Sequence, residues 1–184
     1  MYITENYKLL LKDLHNRKKS FGAGPPNVYL LDGEHINCLK KSVRVLDYGC
    51  GKGTFVKYVE KTYTHIDMSG YDPAIEEYSK QPEGKFDFIW CTDVLEHIEP
   101  ELLENVLNHI YELSSNFLYV SANCSKAKKT LIDGRNAHLI IKPKEWWKNH
   151  FQKLGNIIKE EVTISKWGKN KELESINYHV IIKK

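Results

Sequence analysis

The segment Val43-Arg-Val-Leu-Asp-Tyr-Gly-Cys-Gly-Lys-Gly-Thr54 narrows the possible folds of this chain more than any other. A short apolar run ends in an acid, Asp47. Three alternating glycines follow, Gly49, Gly51 and Gly53, and then helix-forming sequence to about Lys61. A buried strand, a tight turn and a helix start in that order are the ligand-binding corner of an open α/β sheet. The glycines let backbone approach a ligand without interposed side chains. The acid excludes one ligand class, because a phosphate lying in this turn would meet a like charge. A cofactor with a cationic group would be attracted.

The rest of the chain reads as alternating strands and helices. Apolar residues at helical spacing, Tyr7, Leu10, Leu11 and Leu14, predict an amphipathic helix from Thr4 to about Lys18. The Gly- and Pro-rich Ser20–Asn27 breaks it, and a short helix is expected over Glu34–Leu39. Strands are predicted at Val43–Tyr48, Asp67–Tyr71, Phe86–Cys91 and Asn116–Ser121, with a helical piece at Ala74–Ser79. Glu99-Pro100 opens a helix whose stripe is Leu103, Val106, Leu107, Ile110 and Tyr111. An irregular excursion, Ala122–Lys142, is followed by a helix with Pro143 just inside its start, running to about Leu154. Ile157–Lys166 and Ile176–Ile182 have no helix between them and should pair as an antiparallel hairpin. These elements make an α/β fold, a doubly wound, mostly parallel sheet ending in that hairpin. We expect one domain over residues 1–184, with 1–42 as an N-terminal helical cap or lid and Phe21 as its anchor.

Composition removes several function classes. A net charge of +3 is too mild for a nucleic-acid footprint, and the basic residues are lysines apart from Arg17, Arg44 and Arg135. Nucleic acid is therefore disfavoured as a partner. The cysteines Cys38, Cys50, Cys91 and Cys124 are scattered without a CxxC pair, which argues against a zinc site or a disulfide framework. No metal is expected from the spacing of the histidines either. No apolar run reaches the roughly 18–20 residues of a membrane span. A cytoplasmic location, with no membrane partner, is the expectation.

Three constellations carry chemistry. The first is Asp47 with the glycine turn and Asp72, which closes the next strand where a nucleoside-binding sheet places an acid for ribose hydroxyls. The dinucleotide pattern G-x-G-x-x-G is broken by Thr54, so an NAD-type oxidoreductase is the weaker reading. The second is Asp93, Glu96 and His97 at the end of the strand Phe86–Cys91. The third is Asp133-Gly-Arg-Asn-Ala-His138 in the excursion, whose Arg135 and Asn136 suit a small polar substrate. Of the adjacent Trp146 and Trp147, one is expected in the core. The other, taken as Trp147, would wall the substrate pocket.

With these residues in place, Val45-Leu-Asp-Tyr-Gly-Cys-Gly-Lys-Gly53 resembles the first motif of class I S-adenosylmethionine-dependent methyltransferases. Tyr71-Asp72-Pro73 resembles their second motif, and Phe86–Ile98 their strand-four motif. The resemblance runs from Val43 to Lys184 and implies a Rossmann-like fold with S-adenosyl-L-methionine as cofactor. It would place Asp47, Tyr48, Gly49, Cys50 and Gly51 at the methionine end, Asp72 and Pro73 at the ribose, and Asp93 beside the donor or acceptor. The stretch Pro73–Lys85 is too short for the helix, third strand and loop usual there. The third strand should thus be missing or vestigial, leaving adenine to backbone near Gly84–Phe86 or to Tyr71. The expected reaction is methyl transfer to a small-molecule or sugar-like O- or N-nucleophile, with His138 first and His97 second as base. A non-catalytic cofactor-binding module is the alternative.

Overall fold

The computed structural model describes residues 1–23, 43–167 and 173–184. The expected helix over Glu34–Leu39 lies outside these residues. Helix α1 spans Glu5–Arg17 and is capped by the Thr4 side chain, which accepts from the amide of Tyr7. Strand β1 (Val43–Tyr48) leads through the glycine turn into α2 (Thr54–Thr62), followed by β2 (Ile66–Tyr71) and β3 (Phe86–Cys91). Helix α3 (Leu103–Leu113), β4 (Ser114–Asn123), α4 (Lys144–Phe151), β5 (Asn156–Trp167) and β6 (Leu173–Lys183) complete the set.

The six strands form one sheet in the order β2-β1-β3-β4-β6-β5. β1 runs parallel to both β2 and β3, and β3 parallel to β4. β6 is antiparallel to both β4 and β5, which is the expected closing hairpin. The third strand is absent among the described residues, as the short Pro73–Lys85 segment predicts. In its place a single 3₁₀ turn, Glu76–Tyr78, folds back so that the Tyr78 carbonyl accepts from the Asp72 amide at 2.9 Å. β2 is therefore an edge of the sheet.

Alternation along the strands splits the core in two, as period-two side-chain direction requires. Leu46, Ile89, Cys91, Leu118 and Val120 face one side, packed with Leu103, Leu107 and Ile110 of α3 and Trp147 and Phe151 of α4. Val45, Phe88, Trp90 and Tyr119 face the other, packed with Val56 and Val59 of α2. A third, smaller cluster joins Tyr7 and Leu14 of α1 to Leu131 and Ala137 of the excursion. Two details differ from expectation. Tyr111 is 42% exposed, because its phenol turns outward beside the Lys184 ammonium instead of completing the α3 stripe. Pro143 stands just before α4 as its N-cap, since its ψ of 163° is extended. No helix among the described residues is long and apolar enough to cross a membrane.

Candidate active site

The winding direction of the sheet reverses between β1 and β3. Connections leave these neighbours toward opposite sides, opening a crevice beyond their carboxyl ends, where open α/β sheets bind ligands. A cavity of about 460 Å³ occupies this crevice. Asp47, Tyr48, Gly49, Cys50, Gly51, Asp72, Pro73, Asp93, His97 and His138 all line it. The N-terminal segment contributes Tyr2, Ile3, His15, Ser20, Phe21 and Gly22.

The turn is built for close approach. Gly49, Gly51 and Gly53 all have positive φ, and the amides of Gly49 and Cys50 donate to the Tyr71 carbonyl at 2.7 and 3.1 Å, locking the turn to β2. A Cβ on Gly49 would run into the Val94 side chain. We predict that Gly49→Ala costs about 2–4 kcal/mol, from left-handed backbone strain plus overpacking. Urea denaturation measures this; an unchanged midpoint would mean that Val94 moves aside freely.

Two acids converge on this turn. Asp72 accepts from the Gly51 amide at 3.0 Å through Oδ2 and from the Ala74 amide at 2.9 Å through Oδ1. Burial pushes its carboxyl above the usual range; the Ala74 amide, the His15 imidazole and the Gly51 and Ile75 amides oppose that rise. Asp47 has no such help: among the described residues no group donates a hydrogen bond to its carboxylate. Burial, with the Asp72 charge adding to it, pushes its pKa up to about 7. The ionised form of such a buried pair would be favoured by a positive charge placed beside it.

On the other side of the cavity, Asp93 follows β3 with φ of 59°, a left-handed conformation uncommon outside glycine. Glu96 is fully buried. It fastens two walls at once: its Oε1 accepts from the Asn123 amide of β4 at 2.9 Å, and its carbonyl accepts from the Ile140 amide of the excursion at 3.0 Å. His97 and His138 meet edge to face, with ring centroids 4.7 Å apart. His97 Nδ1 lies 2.7 Å from the Ala137 carbonyl and His138 Nδ1 2.5 Å from the Ser125 carbonyl. A carbonyl can only accept, so both Nδ1 atoms carry the proton and both Nε2 atoms keep a lone pair. Burial is the main cause that lowers both pKa values, that of His97 to about 4.

The remaining sequence candidates fall elsewhere. Arg135 does not line the cavity; its guanidinium pairs with Asp133 at 2.8 Å and lies over the Tyr7 ring. Asn136 is also off the lining. Its side chain clasps both the amide and the carbonyl of Ala127 at 2.9 Å and accepts from the His138 amide, so it shapes the loop that presents His138. Trp147 is fully buried against Phe151 in the core and does not wall the pocket. Its helix presents that face to the sheet, while Trp146 stacks on His150 outside the cavity. Gly84–Phe86 does not reach the cavity either, whereas Tyr71 does.

Sequence reading missed the N-terminal Tyr2, which stacks on His109 at 4.0 Å and lines the cavity near Tyr71. It also missed Lys126, Lys128 and Lys129, which give the cavity a basic rim. The lysines were visible as a charge run, but only the fold shows that the run borders the cavity.

A model of the methyltransferase domain matches residues 6–153. The chain belongs to that family. No curated protein matches. Solved structures share the fold of this methyltransferase at low identity. One is coclaurine N-methyltransferase bound to N-methylheliamine and SAH, with TM-score 0.68, 14% identity, and coverage of 100% of this chain and 84% of that one. Another is the 1,6-didemethyltoxoflavin-N1-methyltransferase of Burkholderia thailandensis, with TM-score 0.63, 12% identity and coverage of 100% and 92%. A third is the magnesium protoporphyrin IX methyltransferase of Synechocystis PCC 6803, with TM-score 0.59, 16% identity and coverage of 96% and 99%. The methyltransferase thus has the Rossmann-like architecture expected from its motifs, with a shorter sheet wall after β2.

Proposed function

We propose that this methyltransferase binds S-adenosyl-L-methionine in the crevice and moves its methyl group to a small polar acceptor carrying an oxygen or nitrogen nucleophile. The observation that carries this reading is the buried, incompletely compensated pair Asp47 and Asp72 around a glycine turn. A dinucleotide would bring pyrophosphate charge against two carboxylates. A methionine ammonium brings the opposite charge, and a ribose diol brings two donors for Asp72. The adenine would rest against Tyr71, Pro73 and Tyr2, with Tyr2 standing in for the missing third strand. In this reading Ser20, Phe21 and Gly22 form a lid, with Phe21 edge-on to the His97 ring at 5.6 Å.

Transfer is an in-line displacement. The nucleophile–methyl bond forms as the sulfur–methyl bond breaks, sulfur keeps the electron pair as a neutral thioether, and the acceptor's proton leaves to solvent or a base. Alignment can supply about 7–11 kcal/mol of the barrier reduction. The crevice, its basic rim and the small molecules named with the structural relatives support a small-molecule substrate. Calorimetric titration with S-adenosylmethionine, S-adenosylhomocysteine and NAD⁺, paired with labelled methyl transfer to a panel of small alcohols and amines, tests the proposal. We expect both sulfur compounds to bind, NAD⁺ not to, and label to reach at least one acceptor. Binding of NAD⁺ alone would overturn the reading. Cofactor binding with no transfer across the panel would leave a non-catalytic binding module.

A further inference from the structure

The acceptor side of the cavity holds four potential ligands that the proposed methyl transfer leaves without a joint role. One ligand atom from each of Asp93, Glu96, His97 and His138 lies within 4.8 Å of all the others. Two atoms bound to one ion at about 2.1 Å are at most about 4.2 Å apart, so slight inward rotation closes the set around a single cation.

Three independent features make this a built site. The first is the tautomer. Both imidazoles donate Nδ1–H to a backbone carbonyl, the arrangement that orients a metal-binding histidine and leaves Nε2 free as ligand. The second is the Glu96 carboxylate. Its Oε1 is held by the Asn123 amide, while Oε2 is fully buried, receives no protein N–H or hydroxyl, and has only the Asp93 carboxyl group beside it. An orphaned carboxylate oxygen in a protein interior is costly unless a cation or a proton meets it. The third is charge: Asp93 and Glu96 face each other at the same point, and a divalent ion would balance both.

We propose that Asp93, Glu96, His97 and His138 form a divalent transition-metal site on the acceptor wall of the cavity. Two imidazole nitrogens with two carboxylate oxygens suit Mn²⁺, Fe²⁺, Co²⁺ or Zn²⁺ over Mg²⁺ or Ca²⁺, which prefer all-oxygen sets. Resting on the methyl-transfer reading, the site favours a hydroxyl-bearing acceptor whose oxygen can join the metal, because coordination eases loss of the hydroxyl proton. The two histidines would then act as ligands, and neither need serve as a free base.

The test uses the full chain, stripped with EDTA and titrated with Co²⁺ while visible absorption is followed, and with Mn²⁺ by calorimetry. We expect one equivalent of Co²⁺ with ligand-field bands, and affinity lowered by about tenfold or more in His97→Gln and His138→Gln. Asp93→Asn at the exposed rim serves if a buried variant fails to fold by circular dichroism, and it should weaken binding in the same way. His150→Gln, outside the cavity, controls for adventitious imidazole binding. No stoichiometric binding of Co²⁺ or Mn²⁺, or binding indifferent to Asp93→Asn and to whichever histidine variants fold, would overturn the proposal. S-adenosylhomocysteine titrated in parallel separates the two readings: its failure to bind strikes at methyl transfer, while lost metal binding beside intact cofactor binding strikes only at the metal site.

Discussion

Asp47→Asn is expected to weaken S-adenosylmethionine binding by about thirtyfold or more while making the ligand-free protein more stable. Losing one partner of a buried, hydrogen-bonded charge pair costs about 2–5 kcal/mol of binding. Stability moves the other way because Asp47 is held against its own preference. Its folded pKa of about 7 lies above the ordinary carboxylate value of 3.8. The folded state therefore keeps a proton that the unfolded state releases between these two values, and the group's contribution to stability is lost as pH rises through about 7. Asn carries no such penalty, so at pH 8 the variant should gain about 1–3 kcal/mol. The same linkage gives wild-type cofactor binding a pH dependence. Below pH 7 the ammonium must displace a proton from Asp47, and affinity should fall by up to about tenfold per unit. Urea denaturation at pH 5 and pH 8 with calorimetric titration at the same values measures both effects. A variant that binds normally would show that the ammonium lies elsewhere.

The second large effect is expected at Trp147. Truncation to alanine removes a fully buried indole from the α4–sheet packing and should destabilise the fold by about 3–5 kcal/mol. Denaturation with urea reads the loss directly. Michaelis constants for any acceptor, measured under conditions where the variant stays folded, should change by less than about twofold. A stable Trp147→Ala with a raised acceptor KM would return Trp147 to the pocket wall.

The contrast between these residues shows what a single sequence conveys. Asp47, Gly49, Gly51 and Asp72 were legible because strand, turn and acid lie together in the chain, and local spacing determines where they point. The absence of the third strand was legible for the same reason, since the chain between Asp72 and Phe86 is short. Trp147 was not legible, because adjacent helix positions differ by only about 100°, and which one meets the sheet depends on how the whole helix docks. Arg135 and Asn136 were misplaced by the excursion they belong to. Their polarity is consumed inside the loop, by Asp133 and by the Ala127 backbone, and nothing local distinguishes that from substrate contact. The proposed metal site was not expected from the sequence, where Asp93-x-x-Glu96-His97 read only as a candidate proton-transfer set; bringing His138 beside it involves a bridge between Thr130 and Asn136 that spacing does not announce.

Glu96 has a consequence for how this pocket can diversify. One residue clasps β4 through its carboxylate and the excursion through its carbonyl, and the same carboxylate belongs to the proposed metal site. Pocket shape and pocket electrostatics are therefore not separately adjustable at this point. A change at Glu96 made to admit a new acceptor also releases the Asn123 amide of β4, whereas the lysine rim at 126–129 can be rewritten without disturbing that anchor. Directed evolution of acceptor range in this scaffold should accumulate substitutions along that rim and leave Glu96 in place.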